Sequence, residues 1–182
     1  MNIIYVMMGP PGVGKTTIIT ELKKCGVPVM ISHTTRKPKV HEQDGVDYWF
    51  ISNEEYGKMK FIERVNYSGN YYGLHKDELL KNVKINSITV IEVDVSGLEQ
   101  LRKMLGDRVK AIFVMGDKEV IIERIITQGG DAENLKRRFD YAENSGEFNN
   151  WRLANYVVKN TNCLDDAVRQ ILAILGLAVP AK

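Results

Sequence analysis

Nine consecutive residues, Gly9-Pro10-Pro11-Gly12-Val13-Gly14-Lys15-Thr16-Thr17, carry the plainest chemistry in the sequence. Glycines at this spacing let successive backbone N–H groups converge on one anion, and a lysine beside them neutralises its charge. The hydroxyl of Thr16 is a hard oxygen donor suited to Mg2+. The pattern G-x-x-x-x-G-K-[ST] cradles the phosphates of a nucleoside triphosphate when it joins a strand to a helix. Both flanks meet that condition. Asn2–Met8 is a continuous apolar run, as in a buried parallel strand, and Lys15–Lys24 places Ile18, Ile19 and Leu22 on one helical face before a stop at Gly26. A plain glycine turn would need neither flank. The pattern identifies a triphosphate donor and is silent on the acceptor.

The stretch from Ser32 to Gly73 is rich in hydroxyl, aromatic and charged residues. It contains Ser32-His-Thr-Thr-Arg36-Lys-Pro-Lys39, Asp44-Gly-Val-Asp-Tyr48-Trp-Phe50, Phe61-Ile-Glu63 and Ser68-Gly-Asn-Tyr-Tyr72-Gly73. Short antiparallel strands are expected at 47–51, 61–65 and 71–72, and Ser52-Asn-Glu-Glu55 is a capping box for a short helix. Farther on come Ile91-Glu-Val-Asp94-Val-Ser-Gly97 and Val157-Val-Lys-Asn160. Glu92 and Asp94, two apart on an expected strand 87–95, point to one face at its carboxyl end, where ligands bind in such sheets.

At these residues the chain resembles the guanylate kinase family, in order and over nearly its whole length. The resemblance implies transfer of the ATP γ-phosphoryl group to GMP or dGMP, with Mg2+. It implies that Arg36 grips the acceptor phosphate, assisted by Lys39 and the hydroxyls of Tyr48 and Tyr72. Glu63 matches the carboxylate that accepts from guanine N1–H and the 2-amino group, donors that adenine lacks. Ser32 matches a hydroxyl on the base and Asp94 a second base-side acid; which of Glu92 and Asp94 lies nearer the metal is left open. Arg124 and Arg138 fit cations of a lid over the transferred phosphoryl group, and Asn160 fits a contact to adenine. Lys39 stands where the family usually has arginine, Leu74 where a hydroxyl often helps read guanine, and Gln128 where a second lid arginine is usual.

Duller readings stand beside these. Arg36, Lys37 and Lys39 can be a solvated basic run, Tyr71 and Tyr72 strand packing, Glu92 a helix-cap or metal-shell partner, and Arg137 a surface charge. Trp151 is expected in the core, the three histidines in solvent, and Leu74 either at the base edge or filling core volume. A related kinase of a ribose phosphate would share the loop and the Tyr-Tyr-Gly segment. A non-catalytic interaction module would not need an intact loop.

The elements that must position these residues follow from periodicity. Beyond the insert, helices are expected at 77–83, 97–105, 119–127, 131–144 and 165–175, and strands at 108–115 and 155–159. Alternating strands and helices imply an α/β fold: a parallel sheet flanked by helices. The expected organisation is one domain, with a core at about 1–31, 84–118 and 150–182, a mononucleotide-binding insert at about 32–83 and a helical lid at about 119–149. The chain has 182 residues and a formal net charge of +2, too even for an electrostatic nucleic-acid binder. The apolar start is too short for a membrane span, and two cysteines suggest free thiols. The default expectation is a cytoplasmic monomer or homodimer.

Overall fold

The computed structural model describes residues 2–40, 42–67, 69–127, 139–161 and 163–179. In chain order the strands are β1 (Ile3–Met8), β2 (Val29–Met30), β3 (His33–Thr34), β4 (Trp49–Phe50), β5 (Phe61–Tyr67), β6 (Asn70–His75), β7 (Ile88–Glu92), β8 (Val109–Met115) and β9 (Tyr156–Lys159). The helices are α1 (Lys15–Lys24), α2 (Asn53–Lys58), α3 (Lys76–Ile85), α4 (Val95–Leu105), α5 (Lys118–Thr127) and α6 (Leu164–Ile174). Helical structure at 139–144 matches the end of the expected 131–144 helix. Its start, with Asp131, Arg137 and Arg138, lies outside the described residues, as do Gln128 and His41. A five-stranded sheet runs β2-β7-β1-β8-β9, with β2–β7 and β8–β9 parallel. The chain divides into two compact units, Met1–Val6 with Pro28–Val109, and Met7–Val27 with Lys110–Lys182.

In the second unit, β8 is a run of apolar residues buried from Ala111 to Val114, as a strand covered on both faces requires. Helix α1 buries Ile18, Ile19 and Leu22 as its spacing predicts, and packs on α6, which buries Ala167, Val168, Ile171 and Leu172. Each large aliphatic side chain so buried contributes about 1.5–3 kcal/mol. Trp151 was expected in this core, yet it is 43% exposed on a 3-10 turn spanning Glu147–Leu153. Cys25 and Cys163 are free thiols.

In the first unit, a four-stranded sheet runs β4-β3-β6-β5. It is mixed: β3 pairs parallel with β4 and antiparallel with β6, so the expectation of antiparallel strands holds for only part of it. Strand β3 itself was not anticipated. Ser52 caps α2 in the expected capping box with Glu55. Strand β7 stops at Glu92, short of the expected 87–95, because Asp94 accepts the Gly97 N–H at 2.9 Å and starts α4 at Val95.

His33 also departs from expectation. It is buried between the rings of Trp49, Phe61 and His75, and burial foremost pushes it down to about 4, so it is neutral near pH 7. Tyr71, expected to pack, stacks on Tyr56 with ring centroids 5.3 Å apart. Leu74 has no exposed surface at all, which is the volume-filling outcome and not the base-edge one.

Candidate active site

The residues expected at the site fall into two groups, one in each unit. The phosphate loop, Asn160 and Arg124 belong to the unit containing Met7–Val27 and Lys110–Lys182. Gly9 has φ 148°, and a Cβ there would meet the Val114 carbonyl oxygen at 2.2 Å, so no other residue fits where the loop leaves β1. Gly14 caps α1 in the left-handed conformation; no side chain caps α1 and no acid lies in its first turn. The leading N–H groups of α1 and its positive dipole end are thus left uncapped by any side chain of the helix's own first turn. Lys15 Nζ donates to the carbonyls of Gly9 at 2.8 Å and Pro10 at 3.1 Å, which holds the ammonium over the loop. The Thr16 side chain, on the first helical turn, is exposed and makes no hydrogen bond among the described residues. A hydroxyl with free lone pairs beside a phosphate cradle fits the needs of Mg2+.

Asn160 braces this loop. Its Nδ2 donates to the Val13 carbonyl at 2.9 Å, and the residue is 3% exposed. The amide nitrogen is thus engaged by the loop, while the amide oxygen is buried without a hydrogen-bond partner among the described residues. Arg124 on α5 donates to the Asn160 carbonyl at 3.0 Å and to the Thr161 carbonyl, so its guanidinium pins the segment after β9. The other lid arginine, Arg138, lies outside the described residues.

The first unit gathers the remaining side chains into two neighbouring sets. The first is basic and phenolic. Arg36 follows β3 and is ringed by Glu42, Tyr72, Tyr48 and Phe50. Its Nη1 and Nη2 donate to the two Glu42 oxygens at 2.8 and 2.9 Å, and Nε donates to the Tyr72 hydroxyl at 3.2 Å. The Tyr48 ring stands 6.1 Å from that of Tyr72. Burial first, and then the Glu92 carboxylate, push the Tyr48 hydroxyl up to about 12, so it keeps its proton as a donor. Lys39 is exposed, and its backbone N–H donates to Glu42 at 2.8 Å. Ser32 precedes β3, where its carbonyl accepts from Trp49 N–H at 3.0 Å.

The second set is acidic. Glu63 on β5 is 5% exposed, and its Oε2 is buried without a hydrogen-bond partner. The carboxyl group of Asp94 is the charged neighbour that acts on it. Burial first, then the Asp94 charge, push Glu63 up to about 8. Glu92 ends β7 and Asp94 caps α4, so the two acids share a short stretch but serve different neighbours: Glu92 acts on Tyr48, Asp94 on Glu63. A buried acid with one oxygen unsatisfied suits a ligand that brings N–H donors.

The guanylate kinase family model matches residues 1–176. The chain belongs to the guanylate kinase family. A guanylate kinase of Clostridium perfringens (strain 13 / Type A) is 35% identical over 181 residues, spanning 96% of this chain and 82% of the relative. That of Fusobacterium nucleatum subsp. nucleatum is 35% identical over 140 residues, 74% of this chain and 76% of the relative. The crystal structure of guanylate kinase from Anaplasma phagocytophilum shares the fold, with a TM-score of 0.74 at 24% identity over 96% of this chain and 85% of that one. For this guanylate kinase family member, sequence reasoning missed Glu42 and Gly97. Glu42 sits in a segment dominated by Arg36, Lys37 and Lys39, where an acid reads as solvated. Gly97 lies three residues after Asp94, the spacing of an N-cap acceptor and its donor, which could have flagged it.

Proposed function

We propose that this chain transfers the γ-phosphoryl group of ATP to GMP or dGMP, giving ADP and GDP or dGDP, and so serves purine nucleotide metabolism in the cytoplasm. The observation that carries this reading is Glu63: a buried carboxyl group with an unpartnered oxygen, beside Asp94, in a chain with an intact phosphate loop. Guanine N1–H and the 2-amino group are a matching donor pair; adenine offers no N1–H.

Residues 9–17 bind the ATP phosphates through backbone N–H groups and Lys15, whose charge offsets that developing on the transferred group. The Thr16 hydroxyl would hold Mg2+, which when bound neutralises charge on the phosphate oxygens. Arg36, Tyr48 and Tyr72 bind the acceptor phosphate, with Lys39 adding charge nearby; Ser32 and Asp94 assist Glu63 at the base. Glu92 keeps Tyr48 in its donor form. Arg124 and Arg138 are assigned to the lid by resemblance. No side chain need act as nucleophile, because phosphoryl transfer depends on positioning and charge neutralisation.

A ribose-phosphate kinase would share the loop and the Tyr-Tyr-Gly segment, and Leu74 in place of a hydroxyl argues mildly for that reading. With Leu74 fully buried, that argument falls away. The test is Glu63→Gln. The expected result is a ten- to hundredfold loss in kcat/KM for GMP, the worth of about 1.5–3 kcal/mol for a hydrogen bond to a charged group, with KM for ATP unchanged. Unchanged GMP kinetics would show that the acceptor is misassigned.

A further inference from the structure

Helix α4 opens with a glycine that its backbone does not require. Gly97 stands in the third position of α4 and is absent from the residues with positive φ. Alanine is the better helix former at such a position, so the missing Cβ needs another reason. The surroundings supply it. A Cβ built on Gly97 would lie 2.5 Å from Glu63 Oε2 and 3.0 Å from Glu63 Cδ. It would also lie 2.8 Å from Val93 Cβ. The carboxylate of Glu63 therefore rests directly on the bare Cα of Gly97. The same residue's N–H donates to Asp94 Oδ1 at 2.9 Å.

We infer that Gly97 is a positioning residue for base selection: its bare Cα is the floor on which the Glu63 carboxyl group lies, and its N–H fixes the Asp94 carboxyl group beside it. One glycine thus sets the places of both acids, without touching the ligand. The inference rests on the GMP reading given above. Of the two side chains that a methyl group at 97 would meet, that of Glu63 is the one that yields readily, at Oε2. It ends a flexible side chain, whereas Val93 Cβ is fixed to the main chain. A methyl group would therefore lift the Glu63 carboxyl group from its seat, and the two donors of guanine would find it displaced.

The experiment is Gly97→Ala, made in the wild-type chain and in Glu63→Gln, with steady-state kinetics for ATP, GMP and IMP; the last lacks the 2-amino group. In the wild-type background KM for GMP is expected to rise at least tenfold, KM for ATP to hold within twofold, and the preference for GMP over IMP to shrink. In the Glu63→Gln background the alanine is expected to change KM for GMP by less than threefold, because the carboxylate it displaces is already gone. Equal effects in both backgrounds would overturn the inference, since Gly97 would then act through Val93 or the helix. A wild-type chain that does not phosphorylate GMP would instead sink the underlying reading. Thermal denaturation covers a variant that folds poorly. Removing the side chain with Glu63→Ala is expected to recover much of the stability lost in Gly97→Ala, and no recovery would contradict the proposed contact.

Discussion

Glu42 holds Arg36 by one edge of its guanidinium group. The Nη1 and Nη2 hydrogens of that edge meet the two Glu42 oxygens at 2.8 and 2.9 Å, while the other edge, Nε with Nη2, faces Tyr72 through a 3.2 Å bond from Nε. An arginine has two such forks; with Glu42 on one and the Nε hydrogen of the other given to Tyr72, one Nη2 hydrogen beside that hydroxyl stays available to a phosphate oxygen. Glu42 therefore orients Arg36 without occupying the fork that Tyr72 adjoins. The Arg36 carbonyl neighbour, Lys37 O, fixes a further Nη1 hydrogen at 2.8 Å.

The first prediction follows for Glu42→Ala. Without its orienting partner Arg36 regains rotamer freedom, and KM for GMP is expected to rise roughly tenfold, the equivalent of about 1.4 kcal/mol, near the lower end of what hydrogen bonds to charged groups contribute. KM for ATP should not change. A fall in KM for GMP would show that Glu42 competes with the acceptor phosphate.

Proton linkage gives the second prediction. Glu63 lies at about 8 in the unliganded protein, raised first by burial and then by Asp94, and must be ionised to accept two donors from guanine. Near pH 7 the free protein is then mostly protonated at this site, and GMP binding releases close to one proton. Calorimetry of GMP binding in buffers of different ionisation enthalpy measures that release. KM for GMP should fall several-fold from pH 7 to pH 8. The unliganded protein should respond oppositely. The folded value exceeds the unfolded one, so the stability contributed by protonated Glu63 is fully present below about 4.5 and is lost as pH rises through about 8. Glu63→Gln should abolish both effects; proton release that survives in that variant would assign it elsewhere.

How much of this was readable from residues alone depends on how local the cause is. Strand β1, the phosphate loop and α1 are set by a contiguous pattern, and Lys15–Lys24 was placed to the residue. The Ser52 capping box is equally local. The end of β7 was overrun because Val93 continues an apolar stretch, while the cap bond from Gly97 to Asp94 overrides it. His33 and Trp151 were reversed between solvent and core because their burial is decided by partners distant in sequence, such as Phe61 and His75 around His33. The same holds for Gly97, whose reason for being glycine is an oxygen on β5.

Leu74 supplies the third prediction. With its side chain fully buried, Leu74→Ser is expected to cost roughly 2–5 kcal/mol, as for large-to-small core substitutions, and to leave KM for GMP no better. Thermal denaturation alongside kinetics separates the outcomes. A stable variant with improved GMP binding would return Leu74 to the base site.

Asn160 supplies the fourth. Asn160→Ala leaves the Val13 carbonyl without its 2.9 Å donor, and an unsatisfied buried acceptor costs about 1–3 kcal/mol. The phosphate loop should loosen, raising KM for ATP while KM for GMP stays within twofold. A change confined to GMP would show that Asn160 does not act through the loop.

The most direct test of the account is the acceptor itself: ADP release from ATP and Mg2+, measured with GMP, dGMP, AMP, CMP, UMP and ribose 1,5-bisphosphate in turn. The account predicts turnover with GMP or dGMP, at least about a hundredfold above the other acceptors in kcat/KM, since a site built to pair with ligand N–H groups strongly rejects analogues lacking them. It also predicts that Lys15→Ala lowers the GMP rate by on the order of a hundredfold or more. Preferred turnover of ribose 1,5-bisphosphate, or no acceptor-dependent ADP release at all, would contradict it.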